Sequence, residues 1–228
     1  MLTLARFMFF IIPKNTKMRF LLTIFLLTST IAFGQDTKAD GILNNLSEGI
    51  KKMNSFYIEF SANIKNKITG TDENETGKGW VKNDKYYASY GDITVLSNGM
   101  KTWTIVKEEK SVYEVDADEE DEETMNPKKL MTIWETGFKS KYVGEVKLSG
   151  ETTHKINLFP KNPGSVEYHT ITLYVTKSSG DLKKVTMKTK DATTMSYTIS
   201  KFQPNPSIPD SKFIYYKKKY PGYVLIRD

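Results

Sequence analysis

The side chains that most often carry out chemistry in proteins are scarce in this chain. Its 228 residues include no cysteine and only two histidines, His154 and His169. Without cysteine, the chain has no disulfide, thiolate metal site, cysteine nucleophile or cysteine-linked lipid. Both histidines fall in predicted strands outside any metal-spaced pair, where a histidine is usually a surface polar residue. No GxSxG elbow or phosphate loop occurs, so we predict a non-enzymatic protein that needs no metal and no cofactor.

Carboxylates are concentrated in one run, Asp116 to Glu123, which has seven acids in eight residues. Like charges at this density repel one another and stay solvated, which predicts a mobile loop. A calcium loop is the alternative, but Asp121 occupies the position that requires glycine. Pro127 falls where the bidentate carboxylate should be. The spacing therefore argues against a specific calcium site.

Apolar residues with helical spacing form the third candidate site, in the segment Asn126–Phe138. Asn126 is a suitable helix cap, Pro127 suits the first helical position, and Gly137 favours a stop. Spacings of three and four place the apolar side chains on one stripe: Leu130, Met131, Ile133, Trp134 and Phe138. Such a stripe is usually ordinary core packing, and the alternative is a helix that covers a cavity.

The N-terminus has the pattern of an export signal. Lys17, Met18 and Arg19 precede an apolar run from Phe20 to Phe33. Cleavage after Gly34 would place the small residues Ala32 and Gly34 at the −3 and −1 positions that signal peptidase recognises. We predict a signal peptide over residues 1–34, with Met18 as an alternative start, and a single domain over 35–228. A retained anchor is the alternative, although the apolar run is short for a membrane span.

Removal of this segment changes the charge of the protein. Residues 1–34 carry four basic residues and no acidic one, so the formal net charge falls from +6 to about +2. A nearly neutral chain gives no support to a nucleic-acid partner.

The rest of the sequence predicts one helix and many strands. Thr37-Lys38-Ala39-Asp40 resembles a capping box, and the apolar residues behind it follow helical spacing to Met53. From Ser55 the period becomes two, and eleven strand-like segments follow, joined by short loops such as Asn98-Gly99. We expect bends or bulges at Gly77 and Gly79. An aromatic C-terminal tail beyond Pro204, Pro206 and Pro209 is expected to return along a sheet edge.

Short connections between consecutive strands favour antiparallel pairing, and eleven such strands tend to curl. The predicted fold is mainly β with α: a strongly curved antiparallel sheet of about 11 strands, or unclosed β-barrel, with a helical lid over a hydrophobic cavity. Two short helices do not fill the interior of such a sheet, which leaves room for a ligand.

The order of several short segments resembles that of the bacterial outer-membrane lipoprotein carrier proteins. The resemblance covers the whole of residues 35–228 and begins with the first helix. It continues through Met53-Asn54-Ser55-Phe56-Tyr57-Ile58-Glu59-Phe60, Gly79-Trp80-Val81-Lys82, Tyr86 to Tyr90, Leu96 to Trp103, the Asn126-Pro127 helix and Ile208 to Phe213.

This resemblance implies a periplasmic chaperone that shields the acyl chains of lipoproteins and moves them from the inner to the outer membrane. The implied partners are acylated lipoproteins, an inner-membrane lipoprotein-releasing transporter and an outer-membrane receptor, with the carrier itself a monomer. Many members have Arg-Pro after the residue that is here Lys82, and that arginine is linked to lid opening. This chain has Asn83-Asp84 instead, which leaves Lys82 or Lys85 as the candidate substitute.

Ten residues are predicted to line the acyl cavity, although a one-residue error in strand register would invert the facing of any strand residue. From the sheet these are Ile58, Phe60, Trp80, Tyr86, Trp103 and Ile105, and from the lid Leu130, Ile133, Trp134 and Phe138. A sensing adaptor domain with the same fold, which detects lipids or lipoproteins, is the alternative function.

Overall fold

The first element of the fold is a helix that starts immediately after Asp36. In the computed structural model, which describes residues 36–117 and 131–227, the helix α1 spans Thr37–Lys51. The Asp36 carboxylate accepts a hydrogen bond from the Ala39 N–H at 3.2 Å and so caps the first turn. The cap therefore lies one residue earlier than the capping box predicted. One face of the helix is buried, through Ala39, Leu43, Leu46, Ser47 and Ile50.

Twelve strands follow within the described ranges, and all of them belong to one sheet. They are β1 (Ser55–Asn66), β2 (Asp72–Lys82), β3 (Lys85–Tyr90), β4 (Ile93–Ser97), β5 (Lys101–Val106), β6 (Ser111–Asp116), β7 (Phe138–Leu148), β8 (Glu151–Pro160), β9 (Tyr168–Thr176), β10 (Leu182–Thr189), β11 (Thr193–Pro204) and β12 (Val224–Arg227). Their order in the sheet is β12-β6-β5-β4-β3-β2-β1-β11-β10-β9-β8-β7. The predicted fold class, an unclosed curved sheet with a helix on one face, is confirmed.

The C-terminal tail adds the twelfth strand, which the sequence pattern suggests only as an edge contact. β12 pairs with β6 in parallel, and Val224 lies opposite Ser111. The other neighbouring pairs are antiparallel, so the sheet is antiparallel except at this edge. We call residues 205–227 the C-terminal arm.

The two faces of the sheet are covered by different parts of the chain. The inner face, on which α1 packs, carries the larger apolar core, including Ile58, Tyr86, Ile156 and Leu173. The outer face of β3–β6 carries a smaller core of Leu96, Trp103, Ile105 and Val112 beneath tyrosines of the C-terminal arm. The fold therefore has two hydrophobic layers, and only the inner one contains the helix.

Gly77 does not mark a bulge, contrary to the expectation from the sequence. The ladder between β1 and β2 runs without a shift from Ser55↔Lys82 to Lys65↔Asp72. Gly77 lies directly opposite Phe60, and a Cβ at this position would overlap the Phe60 ring. This glycine therefore provides space for a neighbouring side chain.

The helix predicted over Asn126–Phe138 is wrong for the part that the structure describes, and residues 126–130 lie outside the described ranges. Only Ile133–Glu135 forms a short 3-10 helix. Gly137 has φ of +80°, and Phe138 already begins β7, opposite Pro160. The Phe138 ring stacks on Tyr168 at 6.1 Å between centroids. Pairing with β8 and this ring contact favour an extended backbone where helical spacing suggests a fourth turn.

Candidate functional site

The candidate site is the apolar inner face together with the elements that cover it. At its floor, alternate residues of β8 and β9 are fully buried: Ile156, Leu158, Ile171, Leu173 and Val175. Strand periodicity places these side chains on one face, since neighbours along a strand point to opposite sides. The floor has no charged group among them, and it is therefore suited to apolar ligands.

The helix α1 is held over this floor partly by polar contacts with the segment Met131–Glu135, which we call the cover turn. The Trp134 indole is 5% exposed and donates its N–H to the Ser47 hydroxyl at 2.8 Å. The Lys51 ammonium contacts the Glu135 carboxylate at 2.8 Å, and this hydrogen bond holds the pKa of Glu135 below its usual range. The cover turn therefore attaches to the C-terminal half of α1.

The N-terminal half of α1 is tied to the edge strand β7. The second carboxylate oxygen of Asp36 accepts a hydrogen bond from the Tyr142 N–H at 2.6 Å. The Ser140 hydroxyl donates to the Asp40 carboxylate, and the Lys38 ammonium lies 3.9 Å from the centroid of the Tyr142 ring. These contacts join side chains of the helix to an outermost strand of the sheet.

A cleft opens beside α1 where the covering is incomplete. Its volume is about 320 Å³, near the lower end of the range of ligand pockets, roughly 300–1,000 Å³. Apolar side chains form most of its walls: Leu46, Ile50, Met53, Met131, Leu182 and Phe202. Asn45 and the turn Ser178–Asp181 give it a polar rim. An apolar chain with a polar end group would match this arrangement.

The structure brings six of the ten predicted cavity residues together on the inner side. Ile58, Tyr86 and Trp134 are buried in the larger core, and Phe60, Ile133 and Phe138 pack against it. Leu130 lies outside the described residues. That these six contact an acyl chain remains a prediction.

Trp80, Trp103 and Ile105 lie on the outer face of the sheet, whereas the sequence predicts them on the inner face. Trp80 pairs with Tyr57, whose neighbour Ile58 is an inner-face residue, so Trp80 points outward. Trp103 pairs with Leu96, and both belong with Ile105 to the smaller outer core. The arm supplies apolar partners on this side, which explains why large apolar residues occur on the outer face of these strands.

Lys82 and Lys85 do not take the place of the family's arginine at the covering elements. Their ammonium groups lie 2.7 and 2.8 Å from the two carboxylate oxygens of Asp210, in the C-terminal arm. Hydrogen bonds from Lys82 and then Lys85 lower the pKa of Asp210 to about 2. Both lysines therefore fasten the arm to the outer side of the sheet.

The prediction omitted the floor of β8 and β9 and the buried face of α1. The alternation Ile156-Asn157-Leu158 and Ile171-Thr172-Leu173 is visible in the sequence. It could have identified the floor, because a strict alternation of apolar and polar residues marks a strand with one buried face. The cleft was not predictable, since it depends on how α1 meets the turn between β9 and β10.

His154 is the one histidine near the covering elements. Its Nδ1 lies 3.2 Å from the Tyr142 hydroxyl and 3.9 Å from the Glu145 carboxylate. Burial lowers the pKa of His154, although Glu145 opposes that shift. Within residues 36–117 and 131–227, no three His, Asp or Glu side chains are grouped so that they could hold a metal ion. The same ranges contain no helix with the length and apolar character needed to span a membrane.

Comparison with known proteins identifies the family. The profile of the family described as outer membrane lipoprotein carrier protein LolA matches residues 56–193, which is more than half of the chain. The chain belongs to this family, which confirms the resemblance seen in the sequence. No curated protein sequence matched it.

Solved structures are similar to this chain at low sequence identity. An uncharacterized conserved protein from Thermus thermophilus is 10% identical, with a TM-score of 0.57 over 84% of this chain and 99% of that one. A LolA superfamily protein from Nitrosomonas europaea is 11% identical, with a TM-score of 0.40 over 78% and 97%. The MucA/MucB complex of Pseudomonas aeruginosa contains a chain that is 13% identical, with a TM-score of 0.38 over 79% and 62%.

Proposed function

We propose that this protein is a periplasmic carrier that shields the acyl chains of lipoproteins and moves them from the inner to the outer membrane. Its partners would be acylated lipoproteins, an inner-membrane transporter that releases them and an outer-membrane receptor. The proposal is for binding and transfer, without a catalytic step. Membership of the carrier family supports it, and so does the character of the inner face.

The observation that carries the proposal is an apolar floor covered by one helix that has polar attachments at both ends. Each buried methylene of an acyl chain is worth about 0.8 kcal/mol, so a whole chain needs a large apolar surface. The buried side chains of α1 and the cover turn occupy that surface. Acyl chains would replace them as the helix moves away, and the cleft marks a place where entry could begin.

Displacement of α1 has to break several polar contacts besides the apolar ones. Among the described residues these include the Ser47–Trp134 hydrogen bond, the Lys51–Glu135 ion pair and the hydrogen bonds that Asp36 and Asp40 accept from β7. Water replaces such bonds when they open, so the net cost is typically about 0.5–1.5 kcal/mol for a neutral hydrogen bond and about 1.5–3 kcal/mol for one to a charged group. The helix α1 can therefore stay closed over the floor in the absence of cargo and still move away when cargo binds.

A reversible crosslink between α1 and β7 tests this mechanism. The chain has no cysteine, so Asp40→Cys with Ser140→Cys introduces a unique pair at positions whose side chains are hydrogen-bonded. We expect the oxidised variant to lose most of its ability to extract a fluorescent acylated lipoprotein from inner-membrane vesicles. A reducing agent should restore extraction and subsequent delivery to outer-membrane vesicles.

The matched control is a crosslink that stays within the sheet. Thr186 and Ser196 lie opposite each other on β10 and β11, with their hydroxyls 3.2 Å apart. Oxidised Thr186→Cys/Ser196→Cys should carry cargo like the parent protein. Normal extraction by the oxidised α1–β7 variant would disprove the opening of the helix. Extraction without delivery would instead favour the lipoprotein-sensing adaptor function.

A further inference from the structure

The C-terminal arm carries an unusual charge pattern that the acyl cavity does not explain. From Ser211 to Arg227 the sequence contains five basic residues and no acidic one: Lys212, Lys217, Lys218, Lys219 and Arg227. Two of these have partners on the sheet. Lys212 lies over the Trp80 ring at 3.7 Å, and Arg227 contacts the Glu114 carboxylate at 3.2 Å. The other three are consecutive.

Before these lysines the chain is extended, and its apolar side chains alternate between buried and exposed positions. Ile214 and Tyr216 both have extended backbone angles, with φ of −112° and −119°. Phe213 is fully buried, and Tyr215 stacks on Trp103 at 6.1 Å, so both face the sheet. Ile214 and Tyr216 are each 40% exposed, as the period of two requires.

The three lysines continue this exposed surface. Lys217–Lys219 form a 3-10 helix, and all three side chains are exposed. The Lys219 ammonium lies 5.2 Å from the centroid of the Tyr216 ring. In the part of the chain that the structure describes, no carboxylate forms an ion pair with Lys217, Lys218 or Lys219. The result is a small surface with an aliphatic residue, a tyrosine and three positive charges, which we call the basic turn (Ile214, Tyr216 and Lys217–Lys219).

We propose that the basic turn is a docking site for the surface of an anionic lipid bilayer. Ile214 and Tyr216 would enter the interface, where amphipathic tyrosine rings are favoured, and the lysines would lie among the headgroup phosphates. Juxtaposed apolar and basic side chains are typical of reversible surface binding, since neither part alone holds a protein on a membrane. This function is separate from carriage of acyl chains, because the basic turn lies on the outer side of the sheet.

The proposal can be tested by measuring how the natively processed protein binds lipid vesicles. The parent should cosediment with vesicles of phosphatidylglycerol and phosphatidylcholine but not with vesicles of phosphatidylcholine alone. Lys217→Gln/Lys218→Gln/Lys219→Gln should weaken binding about 100-fold, on the usual contribution of a lysine at an anionic surface. About 1 M salt should release the parent, since it reduces the screening length to roughly 3 Å.

A control with the same change in net charge separates the basic turn from general electrostatic attraction. Lys161, Lys188 and Lys190 are exposed on the other half of the sheet, and Lys161→Gln/Lys188→Gln/Lys190→Gln should retain parental binding. Equal losses in the two triple variants would overturn the proposal, because net charge alone would then account for the binding. Failure of the parent to bind anionic vesicles at low salt would also overturn it and would favour an acidic protein partner.

The apolar residues of the basic turn, Ile214 and Tyr216, can be tested separately by fluorescence. Tyr216→Trp should show a blue-shifted emission on addition of anionic vesicles, and brominated lipids should quench that emission. Ile214→Ser/Tyr216→Ser should lower affinity more than it lowers thermal stability, since both side chains point away from the sheet. If the Tyr216→Trp variant cosediments normally but its added indole shows neither shift nor quenching, insertion of the turn is ruled out.

Discussion

Phe60 and Gly77 show how one pair of residues shapes the inner face. They lie opposite each other on β1 and β2, and the aromatic ring occupies the space above the glycine. Phe60 also approaches Tyr90 at 6.2 Å between ring centroids. A methyl group at position 77 would push this ring toward its neighbours, so the pair is sensitive to the smallest possible substitution.

We expect Gly77→Ala to destabilise the protein by about 1–3 kcal/mol, as is typical when a packed site receives one extra carbon. The free energy of unfolding in urea measures this effect. Gly41→Ala is the matched control, since Gly41 is exposed on α1 with no atom near its added Cβ. That control should gain roughly 0.5–1 kcal/mol, because alanine favours helix. A neutral Gly77→Ala variant would show that the Phe60 ring moves freely.

His154 makes stability depend on pH near neutrality. Burial disfavours its charged form in the folded state, so the unfolded chain binds a proton more readily. Stability should therefore decrease as the pH falls through the ordinary histidine pKa of 6.5. Urea unfolding between about pH 5 and 7.5 should show a smaller slope for His154→Gln than for the parent.

Single residues also show what the sequence could and could not predict. Period two correctly grouped Ile58 with Phe60, because both neighbours of each are more polar. For Trp80 and Trp103 the same reasoning chose the wrong face. On β5 the alternation groups Trp103 with Ile105, but it does not show that this apolar face is the outer one. The deciding partners, Lys212 and Tyr215, are far away in the sequence and come from the C-terminal arm. No local pattern contains that information.

Among the secondary-structure elements, the sequence predicts α1 better than it predicts the cover turn. The helix has a cap and a regular apolar face, and these two local signals agree. The segment 126–138 has a cap, a proline and an apolar stripe, but it also has a strand partner in β8. Pairing from Phe138 onward decides the conformation of its end, which agrees with the general rule that tertiary contacts override propensity.

The acidic run begins at the end of β6, where Asp116 pairs with Lys101 at 2.6 Å, so its first residue is not part of a loop as predicted. Residues 118–123 lie outside the described ranges. The charge density of the run predicts a solvated segment that contributes little to folding. Replacement of residues 118–123 by a Gly/Ser linker should therefore change the melting temperature by only a few degrees. A large loss of stability would contradict this prediction, as would calcium-dependent melting of the parent protein.

For the whole molecule, sequence reasoning recovered the strand-rich fold, its sheet curvature and its family, because strand periods and turn residues are local. It did not recover the division of the two faces between α1 and the C-terminal arm. The arm depends on Asp210, whose carboxylate binds Lys82 and Lys85. It also depends on Tyr215 and Tyr220, which stack outward from Trp103 at 6.1 and 5.6 Å, and on Tyr223, which meets Tyr220 edge-on at 5.5 Å.

We expect Asp210→Asn to loosen the arm without unfolding the sheet. Because the pKa of Asp210 is lowered to about 2, its ion pairs are intact at neutral pH and are lost only as the pH falls from about 4 toward 2. At neutral pH, trypsin should cleave the variant at Lys217–Lys219 faster than the parent, while the sheet resists. Asp191→Asn, in the turn before β11, should leave cleavage at the parental rate. Equal cleavage of Asp210→Asn and the parent would show that the other contacts of the arm hold it without these ion pairs.

The pairing of β1 with β11 has a consequence for how this chain reaches its final state. Phe56 lies opposite Pro204, so the central strand β1 pairs with β11, which is distant in the sequence. Contacts with such wide separation form slowly, because a long loop must close before they contribute. A chain released gradually from its N-terminus therefore cannot complete the sheet until nearly all of it has emerged. Completion of the sheet should therefore come late, and folding should remain slow compared with that of helical proteins of equal length.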